Sequence, residues 1–567
     1  MFWPALWGTW VLDDQDLVAG NAALRHSDFA CMLTQPLFGI THGFWRPLSA
    51  LLMWIGHSLG GPFGIHLLAL SLHAANALTV QVLAHRLLGD ASRAFWVALL
   101  FAVHPVQVES VSWCSSINDP LWVACALQCT LAALRWRDRG AGGAPWAATA
   151  WCFAALLAKE TAVTSLPLVL AALLWVPPAA GRAPPHAPWN RVVLAFLGAC
   201  LLWAAVRAIA LDEGLGSVLL AEPGRPLSTV RFLTAPFDLL LRHLTLLVQP
   251  FPITPFRTLP EHVSAVRLAT LLVAITALIA ALQYGWHRIA GSTGFASVVL
   301  LVPLLPPVLC FRSVGLYPIA DRYLYLPVFG FALLAAHVAG AKWSRWLLLA
   351  AVLACAPVSF GQTSIWRSQE RFVEHALALR TDDPSFEVMA GDLALEEAQA
   401  GSAAALLAAR TYYEAAVTGT VVVPEQRYVP RSLSAGLLGL AWCMLLEQQG
   451  RRGPDTPALL DAFQRAIDAG QENPAAWIGF GVANAIAERY PDAERALRKA
   501  LAIDGSRSEA WFNLGLLQVR TNREREAVAS LRQALWCQPD NSAARELLVQ
   551  IEKPSSCRVA SRTARSR

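Results

Sequence analysis

Two neighbouring acids near the start of the chain are the first residues whose type and spacing could do chemistry. Asp13 and Asp14 lie in the stretch VLDDQDL, just after a short apolar segment. An acid at a membrane surface can take the proton of a hydroxyl group, and a second acid can orient it or hold a divalent cation. The alternative is a helix N-cap, in which one of the two acids satisfies free backbone amides. The residues alone leave both interpretations open.

A second group of ionisable residues lies at the ends of two consecutive apolar segments, in HPVQVESVSWCSSINDP. It contains His104, Glu109 and Asp119. Ionisable groups within membrane segments are rare and usually functional, so three in one hairpin predict a site. His73 and Asn76, in contrast, share one face of an apolar helix, and this spacing favours hydrogen bonds between helices.

Four further charged residues are candidates for binding a donor or an acceptor. Arg46 opens an apolar helix of about 12 residues, too short to span a bilayer, and snorkelling to the headgroups is its alternative role. Lys159 and Glu160 stand between two apolar segments, where a local ion pair is the alternative. Arg322, in ADRYLYLP, could hold a phosphate. The two tyrosines after it are typical of an aromatic belt at a membrane interface.

The composition indicates an integral membrane protein. Of 567 residues, 55% are hydrophobic and 15% are charged, whereas soluble domains carry about 25% charged residues. The net charge of +5 comes from the last segment, 553–567, which has five basic residues and no acid. The rest of the chain is balanced, which argues against nucleic acid binding. The segment 553–567 is predicted to be a disordered basic tail. No metal-ligand spacing and no glycine-rich phosphate loop are present, so a soluble nucleotide donor is not indicated.

Long apolar runs fill the chain up to residue 361 and predict a membrane domain over 1–361. A spanning helix needs about 20 mostly apolar residues. The predicted spans are 66–86, 94–112, 118–134, 146–158, 161–176, 191–211, 264–284, 295–311, 322–341 and 345–361. Residues 1–12 are counted as a truncated first span, which makes eleven.

The basic residues of short loops predict the orientation of these spans. They fall on one side, the cytoplasmic side, if segment 228–250 is an interfacial or re-entrant helix rather than a span. The acidic and histidine-bearing stretches, and everything after residue 361, then lie outside the cytoplasm. The alternative, in which 228–250 crosses, places the C-terminal half inside.

The C-terminal half repeats itself every 34 residues and predicts a tetratricopeptide solenoid over 385–552. A single connecting helix is predicted over 362–384. The repeated positions carry aromatic, small and aliphatic residues typical of packing between two antiparallel helices. They are Trp477, Gly481, Ala493, Trp511, Gly515 and Ala527. Solenoids of this kind usually bind a peptide or protein on their concave surface, and the alternative is a spacer without a partner.

Taken in order along the chain, these motifs resemble one family: the transmembrane-and-tetratricopeptide O-mannosyltransferases of the C-type glycosyltransferase superfamily (GT-C). Asp13 and Asp14 match the acidic pair of the family's first outer loop, and Asn21 matches the asparagine that follows. The stretch WRPL around Arg46 matches a Tyr-Arg-Pro-Leu motif. The resemblance covers nearly the whole chain.

The later motifs match in the same way. His104 and Glu109 match a hairpin motif, and Asp119 matches its trailing acid. Lys159-Glu160 and the stretch RYLYLP beginning at Arg322 match the last two motifs. Three departures stand out: Gln107 where relatives often have His, Asp321 in place of a Glu, and an expected Arg missing before Asp119. The missing Arg leaves Arg46 and Arg322 as candidates for binding the donor phosphate.

The resemblance implies an all-α protein, with a GT-C-like membrane domain of about eleven spans followed by the tetratricopeptide solenoid. It implies an inverting enzyme that moves a sugar, mannose in characterised members, from a polyprenyl- or dolichyl-phosphate donor to Ser/Thr hydroxyls of extracytoplasmic proteins. One acid of the pair would be the base, with Asp14 slightly favoured. The expected partners are the lipid-linked donor, a protein or peptide acceptor on the repeat domain, and membrane lipids. The alternative is a non-catalytic membrane scaffold that anchors a binding module.

Overall fold

The computed structural model describes most of the chain. The described residues are 1–34, 36, 44–179, 188–211, 228–250, 257, 259, 269–270, 273, 291–311, 317–338, 340–379, 383–419, 431–448 and 456–552. In these ranges the regular structure is helical, apart from one antiparallel bridge between Arg257 and Ile319. The described residues form two compact units: one from 1–19 and 23–372, the other from 20–22 and 373–552. The all-α prediction is confirmed.

The first unit consists of apolar helices joined by short 3-10 turns. Its helices of ten or more residues are Pro47–Ser58, Pro62–Leu88, Ala91–Val103, Asn118–Asp138, Trp146–Ala158, Ser165–Trp175, Trp189–Leu211, Thr229–Val248, Ser292–Leu301, Pro327–Val338 and Gly340–Ile365. The helix Gln369–Ala378 begins in this unit and ends in the second. Shorter helical segments are Trp3–Trp7, Gln15–Ala19, Ala22–Arg25, Phe29–Thr34, Gln107–Ser112, Cys114–Ile117, Glu160–Thr164, Val302–Leu304, Leu305–Leu309 and Asp321–Leu324. Three predicted site residues, Glu109, Glu160 and Arg322, lie in these short segments.

Five described helical segments are long and apolar enough to cross a membrane. They are Pro62–Leu88, Cys114–Asp138, Trp189–Leu211, Ser292–Leu309 and Trp343–Ile365. Several shorter apolar helices accompany them, among them Ala91–Val103 and Trp146–Ala158. Most of the predicted span 264–284 and the basic tail lie outside the described residues. The number of eleven spans therefore stays a prediction.

Three predicted spans are wrong in extent. The span 94–112 is interrupted, because the helix Ala91–Val103 ends before His104, which is extended at φ −66° and ψ 135°. Pro105 follows His104, and a residue before proline is disfavoured in a helix. The span 322–341 begins only at Pro327, after a 3-10 turn. Residues 1–12 are helical only over Trp3–Trp7.

The predicted single connecting helix is in fact two segments. The last long helix of the first unit runs through to Ile365, and a new helix begins at Gln369. Between them, Trp366 is buried and packs against the rings of Trp113 and Phe372. Burial of this indole fixes the break between the two helices.

The second unit is a stack of antiparallel helix pairs. Its helices are Ser385–Gln399, Ala403–Gly419, Arg431–Gln448, Thr456–Ala469, Pro474–Ile486, Tyr490–Ile503, Ser508–Arg520, Glu524–Cys537 and Ser542–Glu552. The bounds of the two central pairs recur at the interval of 34 residues that the sequence predicts: Pro474 and Tyr490 begin one pair, and Ser508 and Glu524 begin the next.

Small residues allow the two helices of each pair to approach closely. A Cβ on Gly481 would lie 2.9 Å from Cγ of Leu497, and a Cβ on Gly515 would lie 2.9 Å from Cγ of Leu531. Ala493, Ala527 and both leucines are fully buried in these pairs. The indoles of Trp477 and Trp511 each donate to a backbone carbonyl six residues earlier, at 2.8 and 2.9 Å. All six predicted repeat positions therefore act in packing.

Candidate functional site in the membrane unit

Asp14 is buried and held by hydrogen bonds from two parts of the chain. Its Oδ1 accepts from the backbone N–H of Ser115 at 2.7 Å and from the Ser115 hydroxyl. Its Oδ2 accepts from the backbone N–H of Val11 at 3.1 Å. An N-cap would accept from the turn that follows it. The N-cap alternative is therefore wrong for Asp14, which instead joins the first loop to the 3-10 turn Cys114–Ile117.

The environment of Asp14 raises its pKa to about 7, because burial disfavours the charged carboxylate. The hydrogen bonds from Ser115 and Val11 act in the opposite direction, and the charge of Asp13 adds to the rise. The side chain of Asp13 is only partly buried. The two acids therefore differ: Asp14 is an internal group with a pKa near neutral, whereas Asp13 is partly exposed although its Oδ1 is enclosed.

Asp119 and Lys159 form a buried ion pair. Lys159 Nζ lies 2.5 Å from Asp119 Oδ1, and both side chains are less than a tenth exposed. Ser116 Oγ also donates to Asp119, at 3.2 Å. The ammonium lies 5.7 Å from the centroid of the Tyr323 ring. Burial lowers the pKa of Lys159 to about 8, although the carboxylate of Asp119 acts against this.

Glu109 and Arg322 form a second buried pair. One carboxylate oxygen of Glu109 accepts from the guanidinium of Arg322, and the other accepts from the Arg322 backbone N–H at 3.1 Å. The guanidinium lies 5.5 Å from the ring centroid of Trp113 and 5.1 Å from that of Tyr323. The ring of Tyr323 therefore contacts the cations of both pairs, which brings Glu109, Asp119, Lys159 and Arg322 into one cluster.

Arg46 and Glu160 form a third pair at the edge of this cluster. The guanidinium donates from Nε at 2.9 Å and from Nη2 at 2.8 Å to Glu160 Oε2, and it stacks on the ring of Phe44. Plain snorkelling of Arg46 is therefore wrong. The local pair between Lys159 and Glu160 is also wrong, because Lys159 has extended backbone at φ −161° and ψ 141°. Consecutive side chains of extended backbone point in opposite directions.

His104 is placed apart from these charges. Its Nε2 donates to the Leu247 carbonyl at 3.0 Å, which leaves Nδ1 to accept from the Val106 N–H at 3.4 Å. Burial lowers the pKa of His104 to about 4, so the imidazole is neutral near pH 7. These contacts join the break after Ala91–Val103 to the helix Thr229–Val248, which is a structural role.

The predicted hydrogen bonds of His73 and Asn76 are confirmed, and their shared partner is Tyr325. The Tyr325 hydroxyl lies 2.7 Å from His73 Nδ1 and 3.2 Å from Asn76 Nδ2. Asn76 also donates to the Pro120 carbonyl at 2.9 Å. Tyr325 is 1% exposed and Tyr323 lies among the buried cations. The prediction of an aromatic belt is therefore wrong for these two tyrosines.

Two residues of the site were not predicted from the sequence. Ser115 gives Asp14 both of its long-range hydrogen bonds, and a lone serine in a loop carries no pattern signal. Arg257 pairs with Asp321 at 2.6 Å, next to the bridge between Arg257 and Ile319. That arginine lies in the stretch PFPITPFRTLPEH, most of which is outside the described residues.

The charges of the cluster balance in pairs. Four cations, Arg46, Lys159, Arg257 and Arg322, each contact a carboxylate within the described residues. The side chain of Arg322 is 20% exposed and that of Arg46 is 11% exposed, whereas Lys159 is 6% exposed. A planar guanidinium can accept a phosphate through its remaining N–H groups while it keeps a carboxylate partner. In the described part of the chain, no three His, Cys, Asp or Glu side chains are arranged to hold a metal ion.

Comparison with known proteins adds a family resemblance. The fruit fly Drosophila melanogaster protein O-mannosyl-transferase Tmtc2 is 37% identical over 139 residues, which are 22% of this chain and 14% of that protein. Its paralogue Tmtc1 is 34% identical over 165 residues, covering 28% of this chain and 19% of Tmtc1. Mouse TMTC2 is 36% identical over 74 residues, covering 13% and 9%. This chain is similar to the TMTC proteins.

The similarity to TMTC proteins confirms the resemblance predicted from the motifs, and it has a limited extent. The matched stretches cover less than a fifth of each relative's length. No protein-family model matches the chain. A tetratricopeptide protein of Thermus thermophilus is 18% identical in sequence, with a TM-score of 0.27, and covers 35% of this chain and 94% of its own. A score this low supports no argument about either unit.

Proposed function

We propose that this chain is a membrane glycosyltransferase that moves a sugar, mannose by its resemblance, from a polyprenyl-phosphate donor to Ser or Thr hydroxyls of proteins. The resemblance to the TMTC protein O-mannosyl-transferases supports the reaction class. The observation that carries the proposal is the link between Asp14 and Ser115. It places the acidic loop on the same short turn as Ser116, which binds Asp119 of the charged cluster.

Asp13 is the general base in this proposal, and Asp14 fixes the loop. A base must lie within hydrogen-bond reach of the hydroxyl that it deprotonates. Asp14 is 1% exposed and already accepts from Ser115 and Val11, whereas Asp13 is partly exposed. The difference in burial reverses the slight preference for Asp14 that accompanies the family resemblance.

In this proposal the transfer is a single displacement at the anomeric carbon of the donor sugar. The Asp13 carboxylate takes the hydroxyl proton while the oxygen attacks the anomeric carbon from the face opposite the phosphate. The bond between the anomeric carbon and the phosphate oxygen breaks, the lipid phosphate leaves with the bonding electrons, and the configuration inverts. Positive charge fixed near the leaving phosphate stabilises the developing anion.

Arg46 and Arg322 are the residues proposed to face that phosphate, since both are guanidinium groups more exposed than the ammonium of Lys159. Arg257, whose side chain is 13% exposed, meets the same criterion. The ion pair between Lys159 and Asp119 joins the turn that begins at Glu160 to the helix Asn118–Asp138. Glu109, Glu160 and Asp119 hold the cations in place before the donor binds. In this arrangement the acidic face and the repeat unit lie outside the cytoplasm, with the peptide acceptor bound to the repeat unit.

One observation favours a second function, a non-catalytic membrane scaffold. Every cation of the cluster contacts a carboxylate, which is also what a purely structural network requires. In a scaffold the four pairs would join segments of the membrane unit, and the repeat unit alone would carry the activity, as a binding module. The two functions differ in whether protein glycosylation depends on Asp13.

The test compares wild type, Asp13→Asn and Asp14→Asn in cells, with intact-glycopeptide mass spectrometry of membrane and secreted proteins. The enzyme proposal expects hexose on Ser or Thr that depends on the wild-type chain. Asp13→Asn is expected to reduce it at least about a hundredfold at equal protein level, which is the usual size of a general-base effect. Asp14→Asn is expected to reduce it less, together with a loss of protein stability.

Asp28→Asn is the matched control, since Asp28 is an exposed acid of the same N-terminal region and its Oδ1 accepts from the Cys31 N–H. Asparagine keeps that acceptor, so glycosylation should be unchanged. Complete loss in Asp14→Asn with normal activity in Asp13→Asn would reassign the base to Asp14. Absence of any hexose that depends on the wild-type chain would leave the scaffold as the function.

A further inference from the structure

A groove of about 510 Å³ lies on the repeat unit, between the helices Pro474–Ile486 and Tyr490–Ile503. Its apolar part is supplied by Trp477 and Phe480. The Trp477 indole N–H is already bonded to the Gln471 carbonyl. The tryptophan therefore offers its ring, rather than a donor, to anything that lies in the groove.

The charged part of the groove is mainly basic. Arg489, Arg495 and Lys499 line it together with one acid, Asp492. Arg495 forms an ion pair with Asp492, in which both side chains are exposed, at 80% and 40%. Within the described part of the chain, Arg489 and Lys499 make no ion pair. The lining therefore carries an excess of two positive charges that no described carboxylate neutralises.

The nearest other acid on the same helix does not change this balance. Glu494 accepts from Arg498 at 2.6 Å and from Arg523 at 2.8 Å, so two other arginines already share its carboxylate. Those two contacts lower the pKa of Glu494 and keep it ionised. The positive charge of the groove is consequently available to a ligand.

Comparison with the next repeat shows that two of these basic residues, Arg495 and Lys499, are not required by the fold, whereas Arg489 recurs as Arg523. Thirty-four positions later, Arg495 corresponds to Ala529 and Lys499 to Gln533. Over the same interval the packing residues Trp477, Gly481, Ala493 and Leu497 recur as Trp511, Gly515, Ala527 and Leu531. Residues that differ between two repeats of equal packing are free to serve binding, and a peptide-binding surface is the usual use of such a solenoid.

We propose that this groove binds an acidic segment of an extended polypeptide. Carboxylates of the segment contact Arg489, Arg495 and Lys499, and its apolar side chains lie against the Trp477 ring. The second part of the inference rests on the proposed function: the polypeptides that receive the sugar carry Asp or Glu near the modified Ser or Thr. Electrostatic complementarity of this kind raises association rates and selects against basic segments.

The test uses the full chain in micelles of an uncharged detergent. The probe is a fluorescein-labelled 15-residue peptide of Glu, Ala and Thr, compared with the same peptide in which Gln replaces each Glu. Fluorescence anisotropy should show Kd at least about tenfold lower for the Glu peptide, and Kd should rise between 50 and 300 mM salt because exposed charges are screened. The variant Arg495→Glu with Lys499→Glu should raise Kd by about tenfold or more.

The matched control reverses two charges on the next repeat, Arg520→Glu with Arg525→Glu, both at exposed positions. It should change Kd less than about twofold. The neutral variant Arg495→Gln with Lys499→Gln is a control for misfolding. Its thermal unfolding should match that of wild type, while its Kd for the Glu peptide rises. Equal binding of the Glu and Gln peptides, or an equal loss in the control variant, would overturn the inference.

Binding is measured without any sugar transfer, so the two proposals fail separately. If the chain binds the Glu peptide but transfers no sugar, the groove is supported as a peptide-binding site and the glycosyltransferase proposal is contradicted. The opposite outcome is equal sugar transfer to acidic and neutral acceptors, with transfer unchanged in the variant Arg495→Glu with Lys499→Glu. It would support the glycosyltransferase proposal and show that the groove does not select the acceptor.

Discussion

The two units of the molecule use charged residues in opposite ways. In the membrane unit, Lys159 pairs with Asp119 in a place where both side chains are less than a tenth exposed. In the repeat unit, Arg410 pairs with Glu414 while both side chains are about half exposed, and the two residues are four positions apart on one helix. The first pair joins segments that are distant in the chain, whereas the second lies on the exposed surface of a single helix. The buried pair therefore specifies tertiary structure, whereas the exposed pair contributes little to it.

The largest expected effect comes from removing one partner of the buried pair. Lys159→Ala leaves the Asp119 carboxylate buried without its cation, which should lower the free energy of unfolding by about 3–5 kcal/mol. Denaturant unfolding in detergent measures it. The double variant Lys159→Met with Asp119→Leu removes both charges and should recover most of the stability. A double variant as unstable as Lys159→Ala would show that the charges themselves are needed.

The second-largest expected effect is a change in the pH dependence of the free energy of unfolding, which comes from Asp14. Its pKa in the folded protein, about 7, lies above its ordinary value of 3.8, so the folded state holds a proton that the unfolded state releases. This contribution to stability is complete below about pH 4 and is lost as the pH rises to about 7, by roughly 3 to 4 kcal/mol. Asp14→Asn should flatten that dependence in unfolding curves. An unchanged slope would show that Asp14 is already ionised in the folded protein.

A smaller effect is expected in the repeat unit, where packing rather than charge decides stability. Gly481→Val places new atoms against Leu497, whose Cγ would lie 2.9 Å from the added Cβ. Overpacking of this kind lowers the free energy of unfolding by about 1–3 kcal/mol. Gly505→Ala is the control, since its Cβ would meet only the Leu501 carbonyl oxygen at 3.5 Å. Equal unfolding midpoints for the two variants would contradict the close approach of the helices.

The smallest effect should come from the exposed pair. Arg410→Ala removes the contact with Glu414 and is expected to change the free energy of unfolding by less than about 0.5 kcal/mol. Thermal unfolding at low and high salt checks this, and neither condition should separate the variant from wild type by more than that amount. A loss comparable to that of Lys159→Ala would remove the contrast between the two units.

The sequence predicted the repeat unit better than the charged cluster for a physical reason. The positions of Gly481 and Ala493 follow from a period of 34, which is local and visible in one chain. Asp119, Lys159 and Arg322 were each found as charges beside apolar segments. Their partners depend on how the helices pack, which spacing does not encode, so Lys159 was given the wrong alternative partner. Roles for these residues in a reaction stay predictions.

Residues with no periodic or compositional signal could not be found at all. Ser115 belongs to this class, since its importance lies only in two hydrogen bonds to an acid 101 positions away. Tyr325 was misassigned for a related reason. Tyrosine is common at membrane interfaces, but its hydroxyl here is buried between His73 and Asn76. Type and position alone do not distinguish an interfacial ring from a buried hydrogen-bonding one.

The acidic loop is also held from the far end of the membrane unit. Thr9 donates from its backbone N–H to the Arg367 carbonyl at 2.9 Å, and Leu12 donates to the Gln369 side chain at 2.7 Å, across 357 positions. During synthesis the loop leaves the ribosome before these acceptors, which lie 357 and 358 positions later in the chain than the residues that donate to them. A growing chain therefore carries both acids long before their loop can be fixed. Completion of the unit and completion of the acidic loop are the same event.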